Sequence, residues 1–257
     1  LMISAFAKGC SVLGEKAYLE AAQRATSFLM NTMYNAESGR LLRRFCDGEP
    51  AIPGFLDDYA FLAQALLDVF EAGFDVSYLE SALDLAGRGL EQFEDREQGG
   101  FFSTVENAAD LLLRMKDDYD GAEPSGNSLA TDVLLRLAHL TGDQIFRERA
   151  ERSLECFAPK IKGQPTIAPQ MLVALGRWLT EPAEIVIRCE AIDSEIEEMI
   201  AQRRQVFSPD AITIAISDAA AERLKPIAPF LGGLERKGRI TVYECRNFTC
   251  ELPKVID

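Results

Sequence analysis

The feature that most constrains this chain is a helical pattern that occurs three times, beginning at Tyr18, Tyr78 and Phe146. In each copy an aromatic residue is followed by alanine or leucine at helical spacing, with charged residues on the opposite face. Each copy also follows a glycine, which readily takes the left-handed conformation in which helices end. The pattern predicts amphipathic helices that bury one face and leave the other in solvent.

A different kind of helix is predicted before each of these turns, at residues 2–12, 58–70 and 128–140, and a fourth at residues 168–178. The second of these is apolar around most of its circumference and rich in alanine, as expected of a helix packed on both sides. Alternating inner and outer helices predict stacked helical hairpins. We expect a mainly α fold, a partial (α/α)6 toroid, with an open α-solenoid as the alternative.

The pattern changes near residue 182, where short β-branched runs begin. The runs cover residues 184–189, 211–216 and 239–245, and helical stretches at 194–205 and 218–231 separate them. This order predicts a small βαβαβ subdomain with a mainly parallel, three-stranded sheet. We therefore divide the chain into a helical-hairpin region, residues 1–181, and an α/β subdomain, residues 182–257. Neither a GxGxxG nor a P-loop pattern supports nucleotide binding.

Charge and cysteine content exclude several classes of function. A formal net charge of −14 argues against a nucleic-acid partner, and no apolar run of about 18 residues predicts a membrane span. The six cysteines have neither CxxC nor zinc-ligand spacing. We expect free thiols, no metal, no cofactor and a cytoplasmic location, with a Cys245–Cys250 disulfide as the alternative.

Acidic residues gather where the long loops 34–54 and 93–126 meet the inner-helix N-termini. As candidate acids, bases or hydroxyl-binding groups we single out Asp57, Asp58, Asp120 and Glu123, because glycoside hydrolysis needs paired carboxyl groups. Tyr59 and Tyr119 could stack on a sugar ring, and Ser125 and Asn127 could bind a substrate. The alternative is that the carboxylates and Ser125 only cap helices and that the tyrosines line the core. His139, the single histidine, falls at the opposite end of its helix, where a structural role is expected.

Four motifs resemble the C-terminal part of the spermatogenesis-associated protein 20 family. They are Pro53-Gly-Phe-Leu-Asp-Asp-Tyr-Ala-Phe, Gly99-Gly-Phe-Phe, Tyr119-Asp-Gly-Ala-Glu-Pro-Ser-Gly-Asn-Ser and Cys245-Arg-Asn-Phe-Thr-Cys-Glu-Leu-Pro. The resemblance implies a thioredoxin-like domain, then a six-hairpin toroid related in fold to glycosidases and sugar epimerases, then a small α/β end. Those epimerases rely on histidines, so His139 alone argues against epimerisation here.

Two functional hypotheses follow. The first is a carbohydrate-directed toroid that binds a sugar or another small polar ligand, with catalysis left open. The second is a non-catalytic scaffold or protein-interaction domain that supports an N-terminal thioredoxin-like domain. Leu1 and Met2 already lie within a helical pattern, so we expect the natural chain to begin upstream. A partial ring exposes apolar inner-helix faces, and we expect the missing N-terminal part or a second copy to cover them.

Overall fold

The computed structural model describes residues 1–106, 113–180, 182–208 and 211–257. Residues 107–112 of the predicted loop 93–126, and residue 181 at the predicted boundary, lie outside this range. The helices and strands are α1 (Met2–Leu13), α2 (Lys16–Thr32), β1 (Tyr34–Asn35), β2 (Arg40–Cys46), β3 (Glu49–Pro53), α3 (Leu56–Gly73), α4 (Val76–Phe93), α5 (Gly126–Thr141), α6 (Gln144–Gly163), a short 3-10 helix (Pro165–Ile167), α7 (Pro169–Leu179), β4 (Ala183–Cys189), α8 (Ser194–Arg204), β5 (Ile212–Ser217), α9 (Asp218–Leu224), α10 (Pro229–Gly233), β6 (Ile240–Arg246), β7 (Thr249–Cys250) and β8 (Lys254–Ile256).

The predicted inner and outer helices are confirmed. Helices α1 and α2, α3 and α4, and α5 and α6 pack as hairpins, and the inner helices α1, α3, α5 and α7 contact one another in sequence. Helix α5 is buried over nearly its whole length, whereas α2 buries only Ala22 and Thr26. The fold is a partial α/α toroid followed by a small α/β region.

One predicted turn differs by a single residue. Gly14 and Gly142 end α1 and α5 with positive φ, as expected. At the end of α3 the left-handed residue is Phe74, with φ 63°, and Gly73 is still helical. The buried Phe74 ring packs in the core, and a Cβ on Gly73 would approach Leu19 of α2 to 3.2 Å. The absence of a side chain at Gly73 therefore lets α2 pack closely against α3. Burial of the Phe74 ring offsets the cost of its positive φ.

The segment predicted as loop 34–54 contains a three-stranded antiparallel sheet in the order β1-β2-β3. Its strands are short, and β2 carries three arginines and is mostly exposed. The sheet stands directly before α3 because Gly54 donates its N–H to the carbonyl of Leu41 at 2.7 Å. It brings Arg43 to the N-terminal end of that inner helix.

The C-terminal region has the predicted βαβαβ order, but its sheet is mixed and has five strands. The strand order is β5-β4-β6-β7, and β8 also pairs with β6. Only β4 and β5 are parallel; β6 lies antiparallel to β4, so the expectation of a mainly parallel sheet is wrong. The connection between β5 and β6, residues 218–239, is long enough for a parallel crossover, which needs about a dozen residues. The β-branched run at 239–245 predicts a strand but carries no signal for its direction. Pro229 then begins the separate helix α10.

The expectation of free thiols is wrong for one pair. Cys245 and Cys250 form a disulfide across the β6–β7 hairpin, where they stand directly opposite each other in register. The other four cysteines are free. The spacing of Cys245 and Cys250 could not decide between free thiols and a disulfide, because two cysteines five residues apart meet only if the chain reverses direction between them.

The hydrophobic core runs without interruption from the inner helices into the sheet. Strand β5 contacts α3, and α10 contacts α5. The division at residues 181 and 182 therefore stays a prediction. No helix in the described ranges is long and apolar enough to cross a membrane.

A buried ion cluster joins the inner helices α3 and α5. The Arg136 guanidinium of α5 contacts Asp68 at 2.8 Å and Glu71 at 2.7 Å, both on α3. Burial alone would lower the pKa of Arg136, but these two carboxylates outweigh it and raise the pKa. Burial alone would raise the pKa of the Asp68 carboxyl, but the positive charges of Arg136 and Lys8 outweigh burial and hold this pKa below its usual range. The stabilisation from Asp68 is therefore present above its unfolded-state pKa and is lost as pH falls through the lower folded-state value.

We predict that Arg136→Met lowers the free energy of unfolding by about 3–5 kcal/mol, because it leaves the buried Asp68 carboxylate without its main partner. The measurement is chemical denaturation at neutral pH. The matched control is Arg24→Met, since Arg24 is exposed on α2 and contacts only Glu20, at 3.8 Å; we expect a change within about 0.5 kcal/mol. Equal effects of the two substitutions would show that the cluster does not stabilise the fold.

Candidate ligand site at the N-terminal ends of the inner helices

The candidate site lies where the long loops meet the N-termini of α3, α5 and α7. Asp57 and Asp58 occupy the first turn of α3, and residues 117–125 lead into α5. A helix N-terminus carries partial positive charge and free N–H groups, so carboxylates are favourable there with or without a ligand. The hydrogen bonds of each side chain decide which of them are still available.

Asp58 makes the carboxylate half of a capping box, in which it caps the backbone of the N-cap residue Phe55. Its carboxylate accepts the Phe55 N–H at 2.8 Å and lies 3.5 Å from Arg43 Nε. Burial raises the pKa of Asp58, and the negative charges of Asp57 and Glu123 act in the same direction, against the Phe55 N–H and Arg43. The Asp58 carboxyl thus holds its proton more readily than an ordinary aspartate.

Asp57 and Glu123 complete a small acidic group around Asp58. Asp57 accepts the Asp58 N–H at 3.0 Å and lies 3.7 Å from Arg43 Nη2. Glu123 is exposed, and its charge reaches Asp58. A groove of about 180 Å³ is lined by Arg43, Asp58 and the Phe61 side chain, among others. The structure therefore brings together three of the four predicted carboxylates.

Asp120 is used inside the protein. One carboxylate oxygen accepts the Ser125 N–H at 2.8 Å; the other accepts the Gln170 N–H at 2.7 Å and faces the Met171 N–H at 3.4 Å. The carboxylate thus closes the loop before α5 and caps the start of α7. Asp120 is only 8% exposed, so its observed contacts are those of a structural cap.

Ser125 and Asn127 are also buried and internally bonded. Ser125 is the N-cap of α5, and its hydroxyl contacts Ser128. The Asn127 amide accepts the Phe101 N–H at 2.8 Å and donates to the carbonyls of Phe101 and Asp117. Asn127 therefore ties both arms of the long loop to the inner helix.

The Gly99-Gly100 pair explains how this loop turns. Both residues have positive φ, 78° and 69°. A Cβ at Gly99 would come within 2.4 Å of the Arg152 carbonyl oxygen, and one at Gly100 within 3.1 Å of the Phe157 ring. The turn places the buried Phe101 beside Asn127, and the Phe101 side chain anchors the loop in the core.

The two tyrosines have opposite environments. Tyr59 is 3% exposed; its hydroxyl donates to the Gly39 carbonyl and accepts the Leu41 N–H, both at 2.9 Å. Its ring packs on Phe93, with centroids 5.3 Å apart. Tyr119 is 61% exposed. Only the Tyr119 ring offers a free face, and ligand stacking by either residue stays a prediction.

Arg43 was not predicted from the sequence as a site residue. Its guanidinium lies near the carboxylates of Asp57 and Asp58, and it also lies over the Phe55 ring, 4.4 Å from the ring centroid. The basic cluster of Arg40, Arg43 and Arg44 in β2 was the sequence signal for it. His139 lies at the other end of α5, as expected. Within the described ranges, no cluster of three His, Cys, Asp or Glu residues could hold a metal.

No family profile matches the chain, but curated relatives do. The chain is 35% identical to rat spermatogenesis-associated protein 20 and 34% identical to the human protein, over 98% of its own length in each case. The chain belongs to the spermatogenesis-associated protein 20 family. It spans only about a third of these relatives, 33% of the rat and 34% of the human protein. An uncharacterised Caenorhabditis elegans protein is 28% identical, again over 98% of the chain.

One solved structure supports the toroid. Cellobiose 2-epimerase from Spirochaeta thermophila superposes with a TM-score of 0.50 at 23% sequence identity. The match covers 61% of this chain and 42% of the epimerase. At 23% identity this similarity supports only the toroid fold of the chain. Any chemistry has to be argued from the residues of the site.

We predict that Asp120→Asn lowers the free energy of unfolding by about 1–3 kcal/mol. An amide has one acceptor oxygen and would point its NH2 group at a backbone N–H that the carboxylate now satisfies. The control is Asp117→Asn, since Asp117 is exposed and only weakly bonded, to the Tyr119 N–H at 3.4 Å. Thermal and urea denaturation of both variants test the role; unchanged stability in Asp120→Asn would count against capping.

Proposed function

We propose that this region of the family is carbohydrate-directed, with hydroxyl groups bound at the N-terminal end of α3. The observation that carries the proposal is the raised pKa of Asp58, a half-buried carboxyl with two further carboxylates and an arginine beside it. Supporting context comes from the toroid fold, because a solved relative of that fold is a cellobiose 2-epimerase. Fold analogy is an associational argument, so the residues carry the chemistry.

The proposed roles follow from protonation and exposure. A protonated Asp58 would donate to a sugar oxygen, while Glu123, on the exposed side, would accept from a hydroxyl. Arg43 would donate to a second oxygen, and Tyr119 would lie against the apolar face of the sugar ring. Asp57, beside Asp58, would keep its neighbour protonated. Asp120, Ser125, Asn127 and Tyr59 would hold the loops in place.

A second candidate is a non-catalytic scaffold. It is favoured by the internal use of Asp120, Ser125, Asn127 and Tyr59. This leaves few free groups at the N-terminal ends of the inner helices, a surface we call the mouth. Helix α1 also exposes Val12, at 77%, and α7 exposes Val173. These surfaces would suit a thioredoxin-like domain or other segment of the longer protein, or a second copy.

We predict saturable binding of at least one neutral sugar, measured by calorimetry on the purified chain with glucose, mannose and cellobiose. Asp58→Asn and Glu123→Gln should each weaken binding about tenfold or more, the effect of losing one charged or well-placed hydrogen bond. Because the protonated form of Asp58 acts as donor, wild-type affinity should fall as pH rises through its raised pKa. Asp58→Asn should remove this dependence.

The control is Glu148→Gln, since Glu148 is an exposed carboxylate on α6. Binding that Glu148→Gln keeps and the two site substitutions lose would support a sugar site at the mouth. Unaltered binding in Asp58→Asn and Glu123→Gln would remove these residues from the site. Failure of every sugar to bind would favour the scaffold.

A further inference from the structure

A second cavity lies at the opposite end of the inner helices. Its volume is about 350 Å³. Its walls come from the C-terminal ends of α5 and α7, the first turn of α6, the start of β4 and the β6–β7 turn. The groups that matter there are His139, Arg147, Trp178 and Glu184, with Asn247 and Phe248 from the turn.

Three side chains of this cavity have polar atoms without partners. Nδ1 of His139, Nε1 of Trp178 and one carboxylate oxygen of Glu184 are shielded from solvent and make no hydrogen bond within the described part of the chain. Glu184 is 4% exposed and His139 8%. Buried polar atoms in folded proteins are nearly always satisfied. Three on residues that line one cavity indicate that a partner is missing there.

The charge of the walls limits what that partner can be. Burial, with Arg177 and Arg147 nearby, lowers the pKa of His139 to about 4, so its ring is neutral at physiological pH. Burial raises the pKa of Glu184 to about 7, so its carboxyl is partly protonated. Arg147 is then the main fixed charge, and helix C-termini, which disfavour anions, contribute two of the walls. A mixture of neutral donors and acceptors matches hydroxyl groups, each of which both donates and accepts.

Aromatic groups and a fixed turn complete the cavity. Trp178 and Phe248 offer apolar faces, and Phe248 packs edge-on against Phe230 with centroids 5.4 Å apart. Asn247 and Phe248 both have positive φ, 46° and 59°; asparagine tolerates this conformation, but it is costly for phenylalanine. The Cys245–Cys250 disulfide spans this turn. The covalent clamp holds a strained turn that carries two of the lining residues.

We propose that this cavity is a second ligand site, which binds one small uncharged hydroxyl-rich molecule of monosaccharide or polyol size through Glu184, His139 and Trp178. The volume lies within the range of small-molecule sites, and a few polar groups among aromatic walls are their usual composition. The site goes beyond the function proposed for the mouth, because none of its residues belongs to the group around Asp58. The cavity proposal is therefore tested by substitutions that differ from those around Asp58.

Trp178 is the single tryptophan of the chain, so intrinsic fluorescence reports on this cavity directly. The experiment titrates the purified chain with glucose, mannose and myo-inositol, and with glucose 6-phosphate and acetate as charged probes. We expect a saturable change in Trp178 emission with at least one neutral probe, confirmed by calorimetry. Glu184→Leu should weaken that binding about tenfold or more, and it should leave the fold intact because it removes an unpartnered carboxyl.

Glu184→Gln is the second variant, since it keeps shape and polarity but removes the ionisable proton. Glu190→Gln is the matched control, because Glu190 is exposed just beyond the end of β4. We expect an unchanged Trp178 titration in Glu190→Gln, Asp58→Asn and Glu123→Gln, because this fluorescence reports on the cavity and not on the mouth. A silent Trp178 with every neutral probe at high millimolar concentration, a response to charged probes only, or equal affinity in Glu184→Leu would each overturn the proposal.

Discussion

The constraint on which this structure depends is the burial of the inner helices on both sides. Helix α5 has solvent on almost none of its faces, so each polar group on it must find a partner within the protein. Arg136 finds Asp68 and Glu71 on α3. Asn127 finds the loop carbonyls, and through them it sets the path of the chain outside the helix. The inner helix α5 can therefore be buried only where its polar groups find partners inside the protein.

The two ends of α5 meet this requirement differently. At its N-terminus Ser125, Asn127 and Asp120 are fully engaged, and the groups with free capacity lie next door, around Asp58. At its C-terminus His139 lacks a partner for Nδ1. Buried polar atoms without partners also occur on Gln64, Asp68, Arg88 and Thr104, but among the described residues only His139, Trp178 and Glu184 bring three of them to one cavity.

Periodicity predicted the helical hairpins because each helix must bury a defined face, and that requirement is visible in residue type. The β1–β3 sheet was not predicted because β2, in which arginines flank the adjacent Leu41 and Leu42, is mostly exposed and has no apolar face to detect. The β-branched run at 239–245 predicted a strand but not its direction, because residue type reports burial and not which way the neighbouring strand runs. At the site, composition could not distinguish a capping Asp120 from a catalytic one, because a helix N-terminus favours both. His139 lies far before Trp178 and Glu184 in sequence, and only the packing of α5 beside the end of α7 and the start of β4 brings the three together.

The two candidate sites also differ in how much of the protein they need. The groove at Asp58 borders the start of α1, where Leu1 and Met2 are exposed, and the chain spans only about a third of the rat and human relatives. Additional segments can therefore complete or cover the mouth. The walls of the cavity at Glu184 come from α5 to α7, β4 and the disulfide-closed turn, so its recognition chemistry is held within these residues. The proposed cavity and the proposed mouth can therefore be tested separately, because no residue that lines one also lines the other.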